Sequence, residues 1–156
     1  MAHEHVVRRR VAFSEVDAGG IVHFTNLYRY AEDAEHDFLR QVGLSVVTED
    51  GPRLLGWPRV ATSCDFFSPL RFEDWFQTHL LVKKIGRRSI TYLYEIRKLD
   101  DHQAPTELIA QGQTTAVCVE GIGSGGIRSV DIPEVVTSKI KQAPEEKLFV
   151  HPKQRK

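Results

Sequence analysis

The chain has 156 residues, 41% hydrophobic and 27% charged, which fits one ordinary globular domain with a single core. Lys plus Arg and Asp plus Glu each number 21, so the formal net charge is zero, without the basic excess that marks a nucleic-acid binder. No apolar run approaches the roughly 20 residues that cross a bilayer, and the start, Met1-Ala2-His3-Glu4-His5, has no apolar leader core, so a cytoplasmic protein without membrane or nucleic-acid partners is expected.

His5 to Phe13 sets Val6, Val7, Val11 and Phe13 around Arg8, Arg9 and Arg10 and reads as an opening strand. Asp17-Ala18-Gly19-Gly20 then makes a tight turn. From Thr25 the period changes. Leu27, Tyr30, Ala31, Ala34, Phe38 and Val42 recur at three- and four-residue steps, with charged residues between them. This predicts an amphipathic helix of about four to five turns, capped by Thr25 or Asn26 and ended by Gly43. A loop is expected around Glu49-Asp50-Gly51-Pro52. Strands are expected over Val60–Phe67, Trp75–Ile85, Ser89–Leu99 and Leu108–Val119, with turns at Gly86-Arg87 and Asp100-Asp101-His102. Gly121–Gly126 reads as a flexible loop and Pro133–Lys141 as a short helix. Residues 1–145 form the single expected domain, and 146–156 a flexible tail. The order is strand, long helix, four strands: an α+β fold with a five-stranded antiparallel sheet on one helix. Periodicity alone leaves the topology open.

Cys64 and Cys118 each lie inside an apolar run and outside any CxxC spacing, as expected of small reduced core side chains. Glu32 and His36 stand four apart on one helix face without a third ligand at readable spacing, so they read as a surface pair and no metal is expected.

The chemistry concentrates in Val11-Ala-Phe-Ser-Glu-Val-Asp17-Ala-Gly-Gly-Ile-Val-His-Phe-Thr-Asn-Leu-Tyr28. A strand delivers Asp17 into a Gly-rich bend that opens directly into the helix. Amide groups at a helix start are unpaired and sit at the positive end of its dipole, so those of Val22 to Phe24 can stabilise a developing oxyanion. A carboxylate beside them can attack a carbonyl or activate a water. An Asp before Gly-Gly is also an ordinary turn residue, and the residues by themselves leave both readings open.

The stretch Asp17-Ala18-Gly19-Gly20-Ile21-Val22-His23-Phe24-Thr25-Asn26 resembles the motif of the 4-hydroxybenzoyl-CoA thioesterase family of the hot-dog superfamily. The likeness continues through Tyr30 and Glu35, Phe66-Phe67-Ser68-Pro69 with Asp74, Arg87-Arg88-Ser89 and Ala116-Val117-Cys118-Val119, over roughly residues 6 to 136. The resemblance implies a hot-dog fold, one long helix wrapped by a five-stranded antiparallel sheet, in a homodimer or tetramer with sheets joined across the dimer. It implies Asp17 as the catalytic carboxylate and the backbone N–H of Phe24 as the group that polarises the thioester carbonyl. Gly19, Gly20, Val22 and His23 are expected around the substrate. Arg87, Arg88 and Arg128 match basic positions that contact the nucleotide phosphates, a geometry that suits the arginine fork; Lys83 and Lys84 are weaker candidates. Many broad-substrate members carry Tyr-His where this chain has His23-Phe24, so the aromatic at 24 points to the aroyl-CoA branch. Glu35 lies where a different hot-dog branch carries its acid and is the fallback carboxylate.

The resulting expectation is hydrolysis of an acyl-CoA, aromatic or short, to free acid and CoA, with no cofactor; an acyl-carrier-protein thioester is the weaker alternative. Two rivals are a non-catalytic acyl-CoA-binding protein, which needs no Asp17, and an acyl-chain dehydratase, which pairs a His such as His23 with an acid.

Overall fold

The computed structural model describes residues 1–150. Five antiparallel strands, β1 (Glu4–Arg10), β4 (Arg59–Phe66), β5 (Trp75–Ile85), β6 (Ser89–Leu99) and β7 (Pro105–Val117), form one sheet in the order β1-β5-β6-β7-β4. The helix α1 (Phe24–Gln41) packs across its inner face, giving the expected hot-dog arrangement. The helical period places Leu27, Tyr30, Ala31, Ala34, Phe38 and Leu39 on the buried side, against Phe76, Leu80 and Val82 of β5 and Ile90, Tyr92, Tyr94 and Ile96 of β6. Tyr30 lies on Phe76 with ring centroids 4.4 Å apart, and Phe38 meets Tyr92 edge-on at 6.4 Å. Each fully buried large side chain contributes about 1.5–3 kcal/mol, so this face commits the helix to the sheet. Gly112 of β7 allows the sheet to close: a Cβ there would lie 2.3 Å from the Ser63 carbonyl oxygen and 2.4 Å from the Tyr94 hydroxyl.

A second, smaller sheet has the order β2-β3-β8-β9, from β2 (Thr48–Asp50), β3 (Arg53–Gly56), β8 (Val119–Glu120) and β9 (Arg128–Ser129). The loop expected around Glu49 to Pro52 is thus the turn of a β2–β3 hairpin, with Gly51 at φ 58°. Trp57 fastens it to the core by donating from its indole N–H to Thr48 Oγ1, 3.1 Å away.

Several boundaries differ from the sequence reading, β4 by one residue at each end and others by more. The opening strand ends at Arg10, because Val11 bonds to the Asp74 carbonyl and Phe13–Glu15 coils into a 3-10 turn. The run expected over Leu108–Val119 begins at Pro105 and breaks at Cys118, whose N–H turns to the Arg88 carbonyl. The short helix α2 covers only Glu134–Thr137. Of the tail expected from 146, Lys147 reaches Glu4 Oε1 at 2.5 Å and Phe149 sits edge-on to His79 at 5.2 Å. Residues 151–156 lie outside the described residues. Both cysteines are free thiols, Cys118 buried and Cys64 half-buried. Burial pushes the Cys118 thiol up to about 11, which keeps it protonated and unreactive.

Candidate active site

The bend after β1 is built around Asp17. Its N–H bonds to the Ile21 carbonyl and its carbonyl accepts from Gly20, while Val16 and Val22 bridge across the turn. Gly20 has φ 81°, a conformation that costs an L side chain roughly 1–2 kcal/mol. Gly19 donates its amide to Asp17 Oδ1 at 2.8 Å, and Ile21 does so at 3.4 Å. One carboxylate oxygen is therefore pinned by backbone. The other, Oδ2, has no hydrogen-bond partner among the described residues.

The helix start is arranged the same way. Neither Thr25 nor Asn26 caps it. His23 is the N-cap, its Nδ1 accepting from the Thr25 amide at 3.3 Å and lying 2.7 Å from Thr25 Oγ1, while Asn26 turns its side-chain amide to the Glu15 carbonyl at 2.9 Å. Of the three amides expected to serve an oxyanion, Val22 donates to Leu70 and His23 to Glu15. The Phe24 N–H alone has no partner among the described residues, and it stands at the positive end of an 18-residue helix.

Asp17, Val22, His23 and Phe24 line one half-open cavity of about 700 Å³, with Leu27, Phe66, Phe67, Pro69, Leu70 and Ile109 as its apolar walls and Ser68 and Arg71 as polar ones. Phe24 and Phe66 meet edge-on at 6.3 Å and His23 lies on Phe24 at 4.8 Å, so the rim is aromatic. A free carboxylate oxygen and a free amide donor facing an apolar, aromatic hollow can bind a flat acyl group, hold its carbonyl oxygen and attack its carbon. Among the described residues His23 pairs with Thr25 and with no acid, so this chain by itself does not form the pairing a dehydratase would use.

Sequence reasoning missed Glu15. It is 8% exposed, and its carboxylate accepts from the Ala12 amide and from Arg9, each at 2.8 Å. Its carbonyl takes both the His23 amide and the Asn26 side chain. Glu15 thus fastens the end of β1 to the start of α1 and fixes where Asp17 stands. The available signal was an acidic residue two positions before Asp17 with an arginine on the preceding strand.

Glu35 is elsewhere. Its side chain is 4% exposed on the inner face of α1 and paired with Arg59 of β4 at 2.8 Å. Burial pushes its carboxyl up, with the Arg59 charge pulling against it. Among the described residues, no group of three His, Cys, Asp or Glu side chains could hold a metal, Glu32 and His36 included, and no helix is long and apolar enough to cross a membrane.

The three arginines gather at one place, but not at this cavity. Arg87 Nε reaches both Asp131 oxygens at 3.0 and 3.1 Å, and Arg88 reaches Asp131 at 2.9 Å and Ser129 at 3.2 Å. Arg88 and Arg87 together hold the Asp131 carboxyl below the usual carboxylate range. Arg128 pairs with Glu120 on the adjoining small sheet. Ser89, next to this cluster, is paired with Val117 at one end of β7, whereas the cavity touches β7 at Ile109. Eight strand residues, 109 to 117, separate them, about 26 Å at 3.3 Å per residue.

Known proteins place the chain. Residues 19–105 match the Thioesterase superfamily. The 1,4-dihydroxy-2-naphthoyl-CoA hydrolase of Prochlorococcus marinus is 26% identical over 122 residues, covering 72% of this chain and 81% of that protein. The 4-hydroxybenzoyl-CoA thioesterase of Pseudomonas sp. strain CBS-3 is 24% identical over 102 residues, covering 63% and 71%. A crystal structure of a hypothetical protein from Aquifex aeolicus superposes with a TM-score of 0.75 at 31% identity, over 88% of this chain and 99% of that one. With its helix-wrapped sheet and a match spanning more than half its length, the chain belongs to the Thioesterase superfamily and is a thioester hydrolase.

Proposed function

We propose that this chain hydrolyses acyl-CoA thioesters, aromatic acyl groups above all, with Asp17 as the catalytic carboxylate and the Phe24 amide as the oxyanion donor. The observation that carries the reading is the pair of unengaged groups in one cavity: Asp17 Oδ2 and the Phe24 N–H, each left open while its neighbours are tied to backbone. Asp17 attacks the thioester carbon, forming an acyl anhydride that a water then cleaves to free acid and carboxylate, or draws a proton from a water that attacks the carbon itself. Negative charge then gathers on the carbonyl oxygen against the Phe24 amide, a donor whose loss in comparable sites costs about 2.7–4 kcal/mol, and the CoA thiolate leaves. The aromatic rim of Phe24 and Phe66 favours a ring next to the carbonyl. Relatives named for hydroxylated aroyl-CoA substrates support the same acyl class.

The separation of the arginines from the cavity suits the length of CoA and is compatible with a homo-oligomer in which Arg87, Arg88 and Arg128 of one chain hold the CoA phosphates at the Asp17 site of another. The edge strand β4 supports it independently. It ends the sheet, is exposed along most of both faces, and presents Val60 and Phe66 at 62% and 49% exposure. A long open edge of this kind is a template for pairing with a second copy.

Asp17→Asn tests the chemistry, since it keeps the side chain's size while removing its charge and nucleophilicity. Turnover of an aroyl-CoA should fall by about 10²–10⁴-fold with affinity kept within a few-fold. Near-normal turnover on a folded protein would refute the assignment.

A further inference from the structure

The helix start offers an oxyanion one backbone donor. The Val22 and His23 amides are spent on Leu70 and Glu15, which leaves the Phe24 N–H. A carbonyl oxygen has two lone pairs, and oxyanion sites draw their donors from side chains such as Asn, Ser, Tyr or His as well as from amides. An oxygen held at Phe24 therefore has a second lone pair turned to water or to a side chain of the cavity.

His23 is the neighbour in place. It lines the same cavity, its own carbonyl carbon carries the Phe24 nitrogen, and its ring lies 4.8 Å from the Phe24 ring. The helix start also sets its tautomer. Nδ1 accepts from the Thr25 amide at 3.3 Å, with Thr25 Oγ1 2.7 Å away. A ring nitrogen that accepts carries no hydrogen, so the neutral ring keeps its one hydrogen on Nε2. The opposite tautomer would donate from Nδ1 to Thr25 Oγ1 and leave the Thr25 amide without its acceptor. Nε2 has no hydrogen-bond partner among the described residues. Ser, Thr, Asp or Asn would cap this end at least as well. What histidine adds is a second nitrogen, held as a donor by the capping of the first.

We propose that His23 is a catalytic residue whose Nε2–H is the second donor to the thioester oxygen. The bond strengthens as the C=O electron pair moves onto the oxygen. No proton is transferred, and the ring stays neutral. Thr25 acts as a positioning residue by keeping Nδ1 an acceptor. This role rests on the thioester carbonyl lying at the Phe24 amide, as proposed above.

Two variants separate donor from cap. His23→Ser retains a good capping oxygen but has no group that reaches as far as Nε2; His23→Phe retains a ring and loses both functions. With benzoyl-CoA each should lose about 10²-fold in kcat with the dissociation constant nearly unchanged, because the bond counts mainly in the transition state. Normal kcat in His23→Ser, whether or not His23→Phe is slow, overturns the proposal. Nitrogen NMR of the His23 imidazole should find the hydrogen on Nε2, and the opposite tautomer would overturn it too. The last readout needs no turnover: the isotope-edited infrared carbonyl band of a benzoyl-CoA analogue with methylene in place of sulfur, a ketone that cannot be hydrolysed. Bound to the wild-type protein, the band should fall below its frequency in water, and His23→Ser should return it part of the way. A lowered band that His23→Ser leaves in place refutes the role of His23. A band that is not lowered in the wild-type protein removes the Phe24 oxyanion site and the role of His23 together. A lowered, His23-dependent band beside normal turnover of Asp17→Asn would remove only the assignment of Asp17.

Discussion

If each site takes its carboxylate from one chain and its phosphate-binding arginines from another, two proteins impaired in different ways should rescue each other in a fixed proportion. The first is Asp17→Asn, and the second carries Arg87→Ala, Arg88→Ala and Arg128→Ala. Along β7 the arginine cluster stands about 26 Å from the cavity, a span that the extended arm of CoA has to bridge between thioester and phosphates, and the mixture decides whether it bridges within one chain or between two. Unfolded together at equal amounts and refolded, chains assort at random. A given site then has intact Asp17 with probability one half and intact neighbouring arginines with probability one half. About a quarter of sites should therefore be fully wild type, in a dimer or in a larger closed ring alike. The assay is hydrolysis of an aroyl-CoA well below KM, where the triple variant is slow because weakened phosphate contacts raise KM. The mixture should recover about a quarter of wild-type kcat/KM with a wild-type KM component. Recovery no greater than the sum of the separate variants would mean that the arginines act within one chain or not at all, and would remove the cross-chain site.

Two further perturbations test the supports of the site. Gly20→Ala forces a side chain into φ 81° and should cost about 1–2 kcal/mol by urea denaturation; because the turn aims Asp17, turnover of the folded protein should fall as well, and normal turnover would separate the turn from the chemistry. Glu4 is held down to about 2 by Lys147 and then His79, so its stabilisation is present above its ordinary value of 4.5 and is lost as pH falls from 4.5 toward 2. With the carboxylate a third exposed, screening leaves about 1 kcal/mol. Glu4→Gln should be less stable than wild type by that amount at pH 7, and the gap should close across that window; a gap independent of pH would refute the pairing.

The long helix was legible because its apolar positions from Leu27 to Phe38 repeat one period, and β6 because Ile90, Tyr92, Tyr94 and Ile96 alternate into the core, whereas β5 is buried on both faces over much of its length and read as a strand by composition. The β2–β3 hairpin was not, since strands of three and four residues are too short to show alternation, and only their pairing with β8 makes them a sheet. The cap was misplaced because histidine is not among the residues that usually cap helices, yet here its Nδ1 does what a Ser or Asp oxygen would do. Asp17 and the Gly-Gly turn could be read because the whole device is contiguous. The Glu35–Arg59 pair could not, since it joins the helix to β4 across 24 positions. Arg87, Arg88 and Arg128 could be expected as phosphate ligands from the resemblance, but their distance from the Asp17 cavity depends on the direction of β7, a property of topology and not of spacing.

Glu35 and Asp17 are the two carboxylates competing for the catalytic role, and their surroundings predict opposite consequences of amidation. Glu35 is buried and spends its carboxylate on Arg59 at 2.8 Å; a nucleophile would have to break that pair inside the core. Removing one member of a buried pair costs about 3–5 kcal/mol, because the remaining charge is left unbalanced. Arg59 keeps only Glu32 at 3.7 Å, so Glu35→Gln should lose about 3 kcal/mol, or roughly 10 °C of melting temperature for a chain of this size. Asp17 is exposed and anchored through one oxygen to its own turn, so Asp17→Asn should melt within a few degrees of wild type. The folded Glu35→Gln protein should still turn over an unhydroxylated aroyl-CoA far faster than Asp17→Asn does. If Glu35→Gln instead melted like wild type and abolished turnover, the buried pair would be catalytic machinery and Asp17 a turn residue.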